Sequence, residues 1–381
     1  MPEKLTIPAT LLPRDGRFGS GPSKIRDEQL DALRAAQPRI LGTSHRQAPV
    51  KNVVGDVRSM LADFFAVPDG YEVILGNGGA TAFFDAAAFG LVEAKAQHSV
   101  FGEFGAKFAE ATTAAPHLQP SSIRKADAGS IALPEAEEGV DLYAWAHNET
   151  STGAMAPVVR PAGIGDALVA IDATSAAGGV AVDVSQADAY FFAPQKNFAS
   201  DGGLWFAVVS SAAVARIEKI AASGRYIPAS LGLKDAVDNS RLNQTLNTPA
   251  VTTLLMMRAQ LEWLLANGGM AFAAARTADS SGRIYAWADA RPYTETFVTN
   301  PSHRSSVVAT VDLVGIDSGT LRGVLRDNGI VDIDPYRKLG RNQIRIGVYP
   351  AVEPDDVTAL LACIDWVAER IGGNNDGGGP A

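Results

Sequence analysis

The sequence predicts an α/β fold: a mainly parallel sheet covered by helices, followed by a smaller α+β region toward the C-terminus. Two observations carry this. Short, wholly apolar runs alternate with segments of helical periodicity through the first two-thirds of the chain, as expected for strands buried on both faces. Near Pro249 the alternation gives way to long helical stretches and a few further strand candidates.

From Val54 onward, Val57, Leu61, Phe64 and Phe65 recur at helical spacing. A strand is expected at Tyr71–Leu75, then a glycine turn, then a helix through Phe83, Phe84 and Leu91. His98–Phe101 reads as a strand and Phe104–Ala111 as a helix. Leu142–Ala146, Leu168–Ile171, Ala189–Phe192 and Leu204–Val209 read as buried strands. A long helix is expected from about Pro249 to Asn267, with proline in its first turn and Gly268-Gly269 at its end. A second helix runs on to about Ala288. Strands at Thr296–Val298, Ser306–Asp312 and Gln343–Val348, with helices near Ser318–Asn328 and Asp355–Ile371, complete the chain. The closing GGNNDGGGPA, residues 372–381, is expected to be a disordered tail.

Composition narrows the function. Of 381 residues 46% are apolar and 20% charged, which suits a two-domain globular protein and excludes disorder over most of the chain. Lys plus Arg is 33 and Asp plus Glu is 42, a net charge of −9. Without a basic block, neither nucleic acid nor a membrane surface is an expected partner, and any anionic ligand must be met by a local cluster of cations. A single cysteine, Cys363, excludes an internal disulfide and a Cys-based metal site. The histidines show no HExxH pairing, so no metal site is expected, and there is no GxSxG elbow. No apolar run approaches membrane-spanning length, and the proline-broken start has no signal-peptide character. A cytoplasmic protein is the expectation.

Four features bear on chemistry. Lys196 follows the apolar run AYFFA in a turn of small residues, where a strand can deliver its amine into a cleft. Desolvation there would make it nucleophilic enough to form a Schiff base with an aldehyde; alone, it also reads as a solvated lysine at a strand end. Asp172 leaves the C-terminal end of the run Leu168–Ile171, the end at which ligand sites of open α/β sheets collect; alone, it also reads as a turn cap. The two are 24 residues apart, one strand–turn–strand step, so both can face one site. Gly76-Asn77-Gly78-Gly79-Ala80-Thr81, between a strand and a helix, suits an anion at a helix start as well as it suits a plain turn, and it is not a dinucleotide fingerprint. Finally, Arg46, Arg337 and Arg345 sit among small or polar residues; Arg345 alternates with Ile344 and Ile346 and so projects from one face of a strand. Together, an amine, a carboxylate able to hold a pyridinium proton, a phosphate cradle and substrate-binding arginines are the parts of a pyridoxal phosphate site.

With these residues in view, the chain resembles the phosphoserine aminotransferase family of the class V, fold-type I pyridoxal phosphate enzymes, in its actinobacterial branch. The resemblance rests on GSGPS (Gly19–Ser23), SHR (Ser44–Arg46), GGAT (Gly78–Thr81), NET..G (Asn148–Gly153), the Asp172 region, PQKN (Pro194–Asn197), LNTP (Leu246–Pro249) and IRIGVYPAVEP (Ile344–Pro354). It implies a seven-stranded sheet in a large cofactor-binding domain of residues 20–265, with residues 1–19 and 266–371 forming the small domain. It also implies pyridoxal 5'-phosphate as cofactor, with L-glutamate and 3-phosphohydroxypyruvate as substrates. Lys196 would carry the cofactor and Asp172 would pair with its ring nitrogen. Ala80, Thr81 and Gln195 would bind its phosphate, Thr150 would lie near its phenolic oxygen, and Phe104 would stack on its ring where many relatives have Trp. Asn247 and Thr248 would reach the phosphate from a second subunit, making a homodimer with shared active sites. His45 and Arg46 would meet the distal anion of the substrate, Arg345 its α-carboxylate and Arg337 its phosphate; Tyr336 stands where relatives often have His.

Rival readings are another class V aminotransferase, such as an alanine–glyoxylate or serine–glyoxylate enzyme, a cysteine desulfurase, or an α/β binding protein without catalysis. A desulfurase needs a nucleophilic cysteine on a mobile loop. Cys363 instead lies in the apolar helical pattern ALLACIDWVAERI and reads as core.

Overall fold

The apolar runs assemble into one sheet in the computed structural model, which describes residues 5–372. Along the chain come α1 (Asp27–Ala36), α2 (Ala48–Phe64), β1 (Glu72–Asn77), α3 (Ala80–Gly90), β2 (Ala96–Val100), α4 (Glu103–Ala114), β3 (Ser122–Lys125), β4 (Leu142–Ala146), β5 (Asn148–Glu149), β6 (Ala154–Met155), β7 (Leu168–Asp172), β8 (Ala189–Phe192) and β9 (Leu204–Val209). Then follow α5 (Ser211–Ala222), α6 (Leu233–Arg241), α7 (Val251–Ala266), α8 (Gly269–Asp289), β10 (Thr294–Thr296), β11 (Val308–Leu313), α9 (Ser318–Asp327), β12 (Gln343–Gly347) and α10 (Pro354–Gly372).

Seven strands form the main sheet in the order β1-β9-β8-β7-β4-β2-β3. Only β9 runs against its neighbours, antiparallel to both β1 and β8. Period-two alternation sorts the apolar side chains onto two faces. Tyr143, Trp145, Val169, Ile171, Tyr190 and Phe192 pack with α2 and α7, while Leu142, Ala144, Ala170 and Phe191 pack with α3, α4, α5 and α6. Phe83 stacks on Phe191 with ring centroids 4.1 Å apart.

A second core gathers α8, α9 and α10 around the antiparallel sheet β10-β11-β12, and takes in Ile7 and Phe18 from the N-terminal segment. That segment lies against β12. The Gly347 amide donates to the Phe18 carbonyl at 2.8 Å. A Cβ on Gly347 would fall 2.3 Å from the Gly19 oxygen, so only glycine allows the crossing. Cys363 lies in this core, its thiol donating to the Leu11 carbonyl, and burial pushes its pKa up to about 11.

Several expectations shift. The strand expected at Tyr71–Leu75 runs Glu72–Asn77, because its ladder with β9 continues to Asn77. Pro249 precedes the α7 N-cap, Ala250, rather than sitting in the first turn. Gly268 follows the α7 C-cap, Asn267, as expected for the end of that helix, and also serves as the N-cap of α8 at φ +116°. The strand expected at Thr296–Val298 is β10, two residues earlier; Val298 is buried in the main core beyond the ladder, which explains its apolar signal. Of the tail expected from residue 372, Gly372 closes α10 and the remainder lies outside the described residues.

Two histidines are buried and neutral. His98 pairs through Nε2 with the Thr112 hydroxyl at 2.7 Å, and the Nδ1 of His147 with the Tyr190 hydroxyl at 3.2 Å. Burial pushes their pKa values down to about 3 and about 4. The unfolded chain takes up protons on both near the ordinary 6.5 while the folded chain does not, so stability is lost as pH falls below that value. From pH 6.5 down to roughly 5 the unfolding free energy obtained from urea titrations is expected to fall with a slope that approaches two protons from these histidines, and His98→Gln should reduce it toward one.

Candidate active site

Asp172 is the last residue of β7, and Lys196 lies four residues beyond β8, the parallel neighbour of β7. Both therefore emerge at the same sheet edge, the strands' C-terminal one. Asp172 is 4% exposed. It accepts from the amide of Thr174 at 2.9 Å and its hydroxyl at 2.6 Å, both on Oδ1, so Oδ2 stays free for another donor. Burial raises its pKa, against the opposing pull of Thr174 and of the Lys196 charge. The Lys196 amine donates to the Ser20 carbonyl at 2.6 Å. Burial, and then the positive charge of Arg345, push its pKa down to about 8, with Asp172 acting the other way. The amine thus has a neutral fraction of about a tenth at pH 7, far more than an ordinary lysine.

The loop after β4 brings Thr150. Its hydroxyl donates to the Ser175 hydroxyl at 2.8 Å, and Asn148 Nδ2 reaches the same oxygen at 2.8 Å. Ser175 in turn accepts Asn197 Nδ2 on its carbonyl, which ties the turns after β7 and β8 together. Arg345 projects from β12 as its alternation predicts. One of its terminal nitrogens donates to the Thr150 carbonyl at 3.1 Å, its guanidinium lies 5.4 Å from the Tyr336 ring centroid, and its buried Nε has no partner among the described residues.

Phe104 stands in the first turn of α4, half-buried, with its ring 6.4 Å from that of Tyr336. Glu149, fully buried, accepts the Phe104 amide at 3.0 Å and the Gly105 amide at 3.1 Å, together with the Ser151 hydroxyl. A carboxylate on these free helix-start amides fixes where the ring sits. Gly102 makes room for it, since a Cβ there would meet Glu149 Cγ at 2.1 Å.

Ala80 and Thr81 open α3, whose N-cap, Gly79, contributes no side-chain hydrogen bond. Among the described residues no side chain caps this helix start, and the space beside Gly79 is open. Gln195, between Pro194 and Lys196, has a buried Oε1 without a partner among the described residues.

A second group assembles around Asn77, at the end of β1. Asn77 donates to the Thr248 carbonyl at 3.0 Å and accepts the Asn247 amide at 3.3 Å. The Thr248 hydroxyl pairs with His45 Nδ1 at 3.1 Å, and Arg46 reaches Gln244 and the Leu246 carbonyl. Asn247, Thr248 and Arg46 are exposed. No described hydrogen bond joins this group to Lys196 or Arg345. Arg337 is exposed beside Tyr336 and forms no ion pair among the described residues.

The structure thus unites Asp172, Lys196, Thr150, Arg345 and Phe104 at one place, and His45, Arg46, Asn247 and Thr248 at another, beside the turn before Ala80. Sequence reasoning gave no role to Ser20, Tyr349, Glu149 or Ser175. The first three lie inside stretches it singled out, but each makes a contact in which one partner is a backbone carbonyl or amide, which leaves no mark in the side-chain pattern. Among the described residues no group of three or more His, Cys, Asp or Glu gathers to hold a metal, and no helix is long and apolar enough to cross a membrane.

Comparison with known proteins identifies the family. The class-V aminotransferase family model matches residues 20–333. A protein of Mycolicibacterium vanbaalenii is 60% identical over 372 residues, 97% of this chain and 100% of the relative. The phosphoserine aminotransferase of Nocardioides sp. is 57% identical over 374 residues, again 97% and 100%. The crystal structure of a phosphoserine aminotransferase from Cytophaga hutchinsonii superposes with a TM-score of 0.84 at 20% identity, covering 92% of this chain and 99% of that one, and so shares its fold. With a family match over residues 20–333 and relatives about 60% identical along nearly their whole length, the chain belongs to the class-V aminotransferases.

Proposed function

We propose that the chain moves an amino group between L-glutamate and 3-phosphohydroxypyruvate, giving O-phospho-L-serine and 2-oxoglutarate, with pyridoxal 5'-phosphate as cofactor. The observation that carries this reading is the meeting of Lys196 and Asp172 at one sheet edge with Arg345 facing them. The residues fit the cofactor. The uncapped start of α3 suits a dianionic phosphate, the free oxygen of Asp172 suits a protonated ring nitrogen, and Lys196 offers a half-buried amine to an aldehyde.

Bound there, pyridoxal phosphate supplies an electron sink for the charge left when the substrate Cα loses its proton. Asp172 holds a proton at the ring nitrogen. Lys196, once free, would act as the base that takes the proton from the substrate Cα and as the acid that returns one. Ala80, Thr81 and Gln195 hold the phosphate, Phe104 covers the ring and Thr150 orients its phenolic oxygen. Arg345 has one nitrogen committed to Thr150 and an unpartnered Nε, leaving it able to grip the α-carboxylate. His45, Arg46 and Arg337 take the distal anion, so a dianionic substrate suits the site better than a neutral amino acid does.

The exposed group of Arg46, Asn247 and Thr248 is assigned to the neighbouring active site of a homodimer, and the enzyme to the cytoplasm. Residues 20–265 act as the cofactor-binding domain, and residues 1–19 with 266–371 as the smaller domain carrying Arg345. The test is direct. Purified protein given L-glutamate and 3-phosphohydroxypyruvate is expected to release O-phospho-L-serine. A protein that loads cofactor normally but yields none, while turning over glyoxylate, would transfer the assignment to another class-V reaction.

A further inference from the structure

Two donors converge on one backbone oxygen at the centre of the site. The Ser20 carbonyl accepts the Lys196 amine at 2.6 Å and the Tyr349 hydroxyl at 2.7 Å. A carbonyl has two lone pairs, so it holds both donors at once and is thereby fixed in direction. The neighbouring Gly21 has no side chain where the amine lies: a Cβ there would fall 1.8 Å from Lys196 Nζ. Its φ of +142° also belongs to glycine. Tyr349 is fully buried, its ring packed with Ala176, Val180, Val307 and Val308. It stands four residues beyond Arg345, on the segment that leaves β12.

We propose that the Ser20 carbonyl is the dock of the Lys196 amine whenever the cofactor is not joined to it, and that Tyr349 is the positioning residue that aims this carbonyl. The inference rests on the reading of Lys196 as the cofactor-bearing amine. During each turnover the incoming amino acid takes over the cofactor and frees the lysine. A free amine on four flexible carbons would wander; a fixed acceptor keeps it where it must next take or return a proton. The charged and titratable groups around it are Asp172, Arg345 and Tyr349. None of these is an acceptor for the amine in this structure, which leaves the carbonyl to hold it.

The test compares full-length wild type, Tyr349→Phe and Gly21→Ala, each stripped of cofactor. Two quantities are measured. One is the rate at which added pyridoxal phosphate is captured, a step that joins Nζ to the aldehyde carbon and releases water. The other is the affinity for pyridoxamine phosphate, which has no aldehyde and binds without that bond. In Tyr349→Phe the ring packing stays and only the hydroxyl goes. Capture should slow about tenfold, the size of one hydrogen bond, with pyridoxamine phosphate affinity unchanged. In the reloaded enzyme kcat should fall by a similar factor at constant KM. Gly21→Ala, which fills the place of the amine, should slow capture at least about a hundredfold. Unchanged capture in Tyr349→Phe overturns the proposal. So does a parallel loss of capture and affinity, since the hydroxyl would then merely support the fold. If wild type itself forms no borohydride-stable adduct on Lys196, the reading of the site fails, and the dock with it.

Discussion

Lys196→Ala is expected to abolish turnover, lowering kcat at least about 10⁴-fold, because it removes both the anchoring amine and the proton carrier at one stroke. Truncation also leaves the Ser20 carbonyl without one of its two donors. That carbonyl keeps Tyr349, so the fold should be little affected and the thermal midpoint should stay near the wild-type value. The measurement pairs borohydride reduction and peptide mapping with the rate of phosphoserine formation. Wild type should carry the reduced cofactor on Lys196, and the variant should carry none. Reduced cofactor on any other lysine of the wild type, or substantial turnover by the variant, would sink the assignment. Exogenous small amines supplied to the variant should restore part of the rate, because a soluble amine can replace the missing base though not the anchor.

Asp172→Asn should cost about 10²- to 10³-fold in the half-reaction with L-glutamate, the range seen when one electrostatic partner of a developing charge is lost. Asparagine keeps the oxygen that accepts from Thr174, so the turn after β7 stays intact. What it loses is the negative charge. An amide nitrogen in place of Oδ2 donates where the carboxylate accepts, and so favours an unprotonated ring nitrogen. The signature is a slowed single turnover with L-glutamate at nearly unchanged affinity for it. A variant with wild-type single-turnover rates would remove Asp172 from the chemistry. A second consequence concerns Lys196. Asp172 is the group that holds the lysine's pKa up against burial, so in the variant the amine should titrate below the value of about 8 that it has here.

How much of this was legible beforehand depends on where each residue's partners lie. The strands β4, β8 and β9 match their apolar runs to the residue, and β7 extends its run only by Asp172, because burial on both faces demands an unbroken apolar stretch. The strand β3 escaped notice: it is the sheet's edge, and its sequence, Ser-Ile-Arg-Lys, carries one apolar residue. The two-residue strands β5 and β6 are too short to show a period, and α6 is largely polar. Lys196 and Asp172 were legible because each lies just beyond a buried strand, and Arg345 because it interrupts an alternation. Glu149 and the Ser20 carbonyl were not. The carboxylate serves amides 44 and 45 residues away in the chain, and the carbonyl serves side chains 176 and 329 residues away. Only the folded chain brings such partners together.

The placement of β9 has a kinetic consequence. The strand β1, which leads into the cradle at Ala80, touches the sheet only through β9, and its register joins Glu72 to Val209 and Asn77 to Leu204. Well over a hundred residues of intervening chain must be ordered or looped out before that ladder closes, and such distant pairings are slow to form on the ribosome or after dilution from denaturant. Helix α3 and the turn ahead of it can condense early, but the cradle meets the lysine only after that last strand slots between β1 and β8. Refolding followed through vitamin uptake should therefore lag behind refolding followed through helical circular dichroism.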